Sequence, residues 1–274
     1  MPAISVKNIS TIQEYVDSIT SAITSINGPV WYRGASKARY QLMPSLYRHP
    51  HIHTHQEICD LEAKLLARFK DRAIPYLNRP INDNWEYLFL MQHYGLPTRL
   101  LDWTENPFIA LFFALSDAVK EAKDCNMGSI TEDAVVWVVA PEEWNRQVFS
   151  IRHTPADKKI LTSTDISLKH YAPTTDNNDL TLRQSNPGAI FGSHNSQRIV
   201  AQRGVFFIYG SSDQSMDSIY SSGAFSSDLL HKWVIPAASI EQLFATLFSM
   251  GFTDSVVFPD LEGLARETKR NFGF

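Results

Sequence analysis

His93-Tyr94-Gly95-Leu96-Pro97-Thr98-Arg99-Leu100-Leu101-Asp102-Trp103-Thr104-Glu105-Asn106-Pro107 joins a helix, a strand and a second helix within one short stretch. Gly95 ends a helix over Asn84–Tyr94 that Asp83 can cap, and Pro97 stops it from continuing. Thr98–Trp103 then reads as a short strand. Asn106 is a good N-cap and Pro107 suits a first helical position, so a new helix begins there and runs to about Lys120. That helix is apolar on most sides, which places it centrally.

Working outward, Ile12, Val16, Ile19 and Ile23 recur at helical spacing within Ile9–Ser25. Gly28-Pro29 breaks that helix, and Val30-Trp31-Tyr32-Arg33 reads as a strand stopped by Gly34. Gln41–Arg48 is a loop or short extended segment, and His55–Leu77 a long amphipathic helix. Ala134–Ala140 (AVVWVVA) is a continuous apolar run, which fits a strand buried on both faces. Glu142–Phe149 is a helix candidate, and Ser150–Ser196 is polar, with a loop at Thr174–Asp179. Arg198–Tyr209 reads as a strand broken at Arg203-Gly204, and Ser211–Ser227 as a flexible Ser-rich stretch. A strand follows at Leu229–Ile235. Ser239 and Gln242 form a capping-box pattern for a helix over Ile240–Met250. Ser255–Phe258 reads as a last strand and Leu261–Arg270 as a last helix.

Strands and helices mix here without strict βαβ alternation. The expected fold is α+β: one domain with a central, mostly antiparallel sheet flanked by helices. A helical segment over residues 1–27 precedes a domain over 28–274.

The formal charge of −4 argues against a generic nucleic-acid binder, so any basic surface is local. Two cysteines, Cys59 and Cys125, make neither a disulfide scaffold nor a metal cluster, which fits a reducing cytoplasm. The first 25 residues show no basic region followed by an apolar run, so no signal peptide is expected. The longest apolar stretch, Phe108–Leu115, is too short to span a bilayer, and no membrane partner is expected. His51, His53 and His55 alternate, but no ligand set of zinc spacing follows, so a solvated loop is expected and no metal. No phosphate-loop, dinucleotide or nucleophile-elbow pattern is present.

Arg33 lies in an apolar strand, where a guanidinium needs an anionic or carbonyl partner. A diphosphate matches its bidentate fork, and Gly34 would let backbone approach such a ligand closely. The alternative partner is an internal carboxylate such as Asp102. If Thr98–Thr104 is extended, Thr98, Asp102 and Thr104 share one face and line a polar cleft, or else they form a structural network.

Four segments together resemble the FRG-domain family, named for an aromatic-Arg-Gly triplet. They are Trp31–Gly34 with Leu42–Arg48 (LMPSLYR), His93–Thr104 running into Asn106-Pro107, Arg198–Phe206 (RIVAQRGVF), and Phe258–Leu261. Tyr32 stands where the name has Phe. The family's roles point to bacterial or phage-related toxins and defence. The triplet strand also resembles, more distantly, the first core strand of Arg-type ADP-ribosyltransferases, which implies an NAD-using fold of that kind. There the arginine holds the NAD phosphates, and a third strand carries a glutamate. Arg198–Phe206 has no carboxylate and offers Gln202 instead.

The resemblance implies two readings. In the first, the protein transfers ADP-ribose from NAD, its substrate, to a nucleic acid or protein. Arg33, Gly34 and Tyr32 hold the diphosphate end, Tyr94 or Trp103 stacks, and Thr98 and Thr104 line the site. Asp102 or Glu105 is the catalytic carboxylate and Gln202 touches ribose. In the second, the domain binds a nucleotide, a nucleic acid or a partner protein without catalysis.

Overall fold

Ala134–Val139 is the strand that organises the molecule. The structure, a computed structural model, describes residues 4–52, 54–77, 79–124, 129–150, 160–172, 184–192, 197–225 and 228–273. In it the strands are β1 (Ser5–Asn8), β2 (Trp31–Ala35), β3 (Leu100–Thr104), β4 (Ala134–Val139), β5 (Gly188–Ile190), β6 (Gly204–Ile208) and β7 (Leu230–Ile235). They form one sheet in the order β1-β7-β4-β2-β3-β6-β5. Every pairing is antiparallel except β1 with β7. Each residue of β4 is buried, as its unbroken apolar run requires of a central strand covered on both faces.

The α-helices are α1 (Ile12–Ser25), α2 (His55–Ala73), α3 (Asn84–His93), α4 (Pro107–Asp124), α5 (Pro141–Ser150), α6 (Gln197–Gln202), α7 (Met216–Ile219), α8 (Ala237–Ser249), α9 (Asp254–Val257) and α10 (Leu261–Asn271). Alternation along the strands divides the core. Tyr32, Val136 and Val138 pack with α1, α4 and α8, while Trp31, Trp137 and Val139 pack with α5 and the aromatic cluster around Phe207. The result is the α+β class expected, with helices on both sides of a mostly antiparallel sheet.

Local chemistry explains most helix starts. Thr11 with Glu14, and Thr54 with Glu57, form reciprocal capping boxes at α1 and α2. Asp83 caps α3 through the Trp85 N–H. The Asn106 Oδ1 accepts from the Phe108 and Ile109 N–H groups at 3.0 and 3.4 Å, opening α4 with Pro107 in its first turn.

Five expectations need correction. Ser5–Asn8 is an edge strand whose residues are all exposed, so it carries no hydrophobic alternation to read. Arg198–Gln202 is the short helix α6; Arg203 takes a left-handed φ of 46° and turns the chain into β6. The Ser-rich stretch holds α7, anchored by the buried Met216, Ile219 and Tyr220. Ser255–Phe258 is mostly the helix α9. Helix α8 begins at Ala237 after Pro236, with no side-chain cap, ahead of Ser239. Thr174–Asp179, Cys125 and His53 lie outside the described residues.

Candidate functional site

β2 and β3 are neighbours in the sheet, yet they pair at one position, Tyr32 with Thr104. Beyond it, β2 continues its ladder with β4 and β3 continues with β6. The strands therefore part, and a cleft of about 250 Å³ opens between them. The Arg33 guanidinium spans the gap and donates from Nη1 to the backbone carbonyl of Asp102. Helix α4 contributes Ala110, Phe113 and Asp117 to the walls, the end of α3 contributes Gln92 and His93, and α6 contributes Arg198, Ile199 and Gln202.

The Asp102 carboxylate is oriented by a relay. Thr98 Oγ1 accepts from the Leu100 N–H at 3.0 Å and donates to Gln92 Oε1 at 2.5 Å. Gln92 Nε2 in turn donates to Asp102 Oδ2 at 2.7 Å. Asp102 opens to solvent through the cleft, but protein crowds it closely. Burial pushes its pKa up, against the opposing pull of Arg33 and of the Gln92 hydrogen bond. Burial likewise lowers the Arg33 pKa, with Asp102 acting the other way. Both shifts run toward the neutral forms, so desolvation outweighs the attraction between the two groups. Across the cleft, burial and then Glu121 raise the pKa of Asp117.

The residues named from the sequence divide between cleft and scaffold. Arg33, Gly34, Tyr32, Asp102, Trp103, Thr104 and Gln202 all line the cleft. Several are already committed. The Tyr32 ring is buried 6.0 Å from Trp233, and burial pushes its hydroxyl up to about 12. The Trp103 ring is buried against Phe207 at 5.6 Å. Thr104 Oγ1 donates to the Gln202 carbonyl at 2.6 Å and accepts from the Asn106 N–H at 2.9 Å. Gln202 Nε2 donates to the Val257 carbonyl at 3.1 Å, tying α6 to α9. Thr98 is fully buried and acts through Gln92 rather than from the wall. Tyr94 is 67% exposed and borders a separate groove with Phe69, Tyr76 and Leu90. Glu105 is not among the lining residues; its N–H donates to the Arg203 carbonyl at 3.1 Å.

Gly34 has a different cause from the one its position suggested. A Cβ there would sit 1.9 Å from the Ala110 carbonyl oxygen and 2.7 Å from the Ala114 nitrogen. The glycine is required because α4 presses its backbone onto β2.

Gln92, Asp117 and Arg198 went unnoticed in the sequence. Asp117 carried a signal: Ala110, Ala114 and Asp117 recur at helical spacing, so a carboxylate follows two small residues on the face toward β2. Arg198 was hidden by the strand reading, since in α6 Arg198 and Gln202 fall one turn apart on the cleft side.

No group of three or more His, Cys, Asp or Glu residues among the described residues is arranged to hold a metal ion. Among them also, no helix is long and apolar enough to cross a membrane. The diverging pair β2 and β3, with Arg33 on one and Asp102 on the other, falls within a single matched family segment. Residues 28–123 match the FRG domain. The FRG segment includes β2, α2, α3, β3 and α4, and so Arg33, Gln92, Asp102 and Asp117. Its partners β4, β6 and α6 lie downstream, so the cleft is closed by residues outside it. Searches of curated proteins and of solved structures returned no match.

Proposed function

We propose that the cleft is a nucleotide site and that the protein is an NAD-using, ADP-ribosyltransferase-like enzyme of the cytoplasm. In this reading it is a toxin or defence effector that modifies nucleic acid or protein. The observation that carries the reading is the opposition of Arg33 and Asp102 across a gap in the sheet. Among the described residues the Arg33 guanidinium uses one N–H, toward the Asp102 carbonyl, and keeps the rest of its fork for an acceptor in the cleft. A phosphate suits that fork. Asp102 is open to the cleft, and the protein crowding it raises its pKa against the pull of Arg33 and Gln92. At C–N cleavage the positive charge of the nicotinamidium ring would pass to the ribose carbon as neutral nicotinamide leaves, and a carboxylate placed beside that carbon would stabilise the relocated charge more than the ground-state ring. The cleft volume falls below the roughly 300–1,000 Å³ of sites that engulf a drug-sized ligand. It suits one part of NAD, the diphosphate and the ribose beside it, with the remainder lying outside.

A non-catalytic nucleotide-binding module is the second reading. It is favoured by Gln202, whose amide is spent on Val257, and by Glu105, which stays out of the cleft.

The test is incubation of the purified protein with NAD, following nicotinamide release by chromatography and NAD binding by calorimetry. Release by the parent that disappears in Asp102→Asn supports the enzyme. Binding without release leaves the module. A parent that neither binds nor consumes NAD overturns the enzyme reading and leaves the binding module.

A further inference from the structure

The cleft holds a second cation at its α6 edge. Arg198 lines the cavity and its guanidinium lies over the Phe258 ring, 4.7 Å from the centroid. Arg266, on α10, lies over the same ring at 4.4 Å. Phe258 is buried, so it fixes both planar groups rather than following them. Arg266 has a carboxylate partner, Glu262, at 2.9 Å. Among the described residues, Arg198 has neither an ion pair nor a hydrogen bond. Asp102, Asp260 and Glu262 act on it only through space. Burial lowers its pKa first, and the like charge of Arg266 lowers it further. Two guanidinium groups packed on one ring repel each other, and the ring quadrupole offsets only part of that. An anion beside Arg198 would relieve both the repulsion and the unmet hydrogen-bonding capacity of its planar fork.

We infer that Arg198, with Arg266 behind it, is a second anion subsite, and that the ligand of the cleft carries two phosphate groups. This rests on the reading of the cleft as a nucleotide site. Arg33 takes one phosphate between β2 and β3, and Arg198 takes the other at the α6 edge. The substrate class is then a nucleoside diphosphate or its derivative, and a monophosphate fills half of the site. Arg266 raises the positive potential without touching the ligand.

Titration calorimetry of the full chain with ADP and with AMP, at low salt, tests this. The parent should bind ADP about tenfold or more tighter than AMP, the scale of one charge-assisted hydrogen-bonded contact. Arg198→Gln should erase that margin, bringing the ADP affinity down to that for AMP, since only the Arg33 contact is left to hold a phosphate. Arg266→Gln should reduce the margin in part. If Arg198→Gln fails to melt cooperatively, Arg266→Gln on the surface of α10 carries the test, and an unchanged margin there overturns the subsite. Equal affinities of the parent for ADP and AMP, or a margin that persists in Arg198→Gln, also overturn it, while AMP binding keeps the nucleotide cleft. A parent that binds neither nucleotide overturns both.

Discussion

Arg99 and Glu62 meet inside the protein at 2.8 Å, with side chains 0% and 1% exposed. The remaining donors of Arg99 reach the backbone carbonyls of Tyr209 at 2.9 Å and Tyr171 at 2.6 Å. One guanidinium thus ties α2, β3, the end of β6 and the turn that ends at Tyr171 into one body. The FRG segment supplies both charges, and the rest of the chain supplies the carbonyls. Glu62 Oε1 has no hydrogen-bond partner among the described residues, so the pair is not fully satisfied. Glu62→Ala leaves a buried cation uncompensated and should destabilise the fold by about 3–5 kcal/mol. Chemical denaturation measures it. Replacing both residues by apolar groups of similar size should be milder than either single change, because no unpaired charge remains. A double variant as unstable as Glu62→Ala would show that the three backbone-linked elements depend on the hydrogen bonds of Arg99, not on charge pairing.

Gly34→Ala should be among the most damaging small substitutions. Its methyl group would meet the Ala110 carbonyl oxygen at 1.9 Å and the Ala114 nitrogen at 2.7 Å, both backbone atoms of a central helix. Neither can rotate away, so α4 must shift from β2. Overpacking of this kind costs typically about 1–3 kcal/mol, and here it also widens the cleft that α4 walls. The expected outcome is a lower melting temperature together with weakened nucleotide binding. Ordinary stability with weakened binding would instead mean that Gly34 matters through approach to the ligand.

How far the sequence could be read follows from what holds each part. The Ala134–Val139 run and the Asn106-Pro107 start report local or one-dimensional constraints, so strand β4 and helix α4 were visible. Strand β1 was not, because an exposed edge strand answers to the backbone of β7 rather than to its own side chains. Arg198–Gln202 has β-prone residues at its centre, and tertiary contact with α9 together with the turn at Arg203 makes it helical. Arg33 and Asp102 were legible as chemistry because charged groups among apolar neighbours demand partners. The divergence of β2 from β3, which opens the cleft between them, depends on which ladders win in the assembled sheet. No residue pattern states that.

Arg33→Ala should separate binding from folding. Arg33 is partly exposed to the cleft, and its hydrogen bond runs to one carbonyl across a gap where no ladder exists. Removing it should move the melting temperature little, a change within about 1 kcal/mol. It should weaken ADP or NAD binding by about tenfold or more, the loss of a charge-assisted contact. A variant that binds normally, or one that no longer melts cooperatively, would make Arg33 a strut between the strands instead.

Asp102→Asn tests the carboxylate through pH as well as through turnover. Asn keeps the size of Asp and an oxygen for Gln92 Nε2, now 2.7 Å from Asp102 Oδ2. The Asp102 pKa is raised in the folded protein from its ordinary 3.8, mainly by burial. Between the ordinary value and the raised one, the folded state therefore binds more protons than the unfolded state. Stability must fall as pH rises through that window. Above it, ionised Asp102 is a net burden on the fold, since burial outweighs the help of Arg33 and Gln92. Asp102→Asn should then melt at a higher temperature than the parent at pH 7, with the gap closing as pH drops below 3.8. Under the NAD-using reading the same variant should bind nucleotide normally and lose turnover by roughly a hundredfold or more, because it lacks the charge that opposes a developing oxocarbenium ion. Gained stability paired with lost turnover is the mark of a strained group kept for chemistry. Asp102→Asn that is less stable than the parent at pH 7 would show instead that the carboxylate belongs to the scaffold, pairing with Arg33 across the gap.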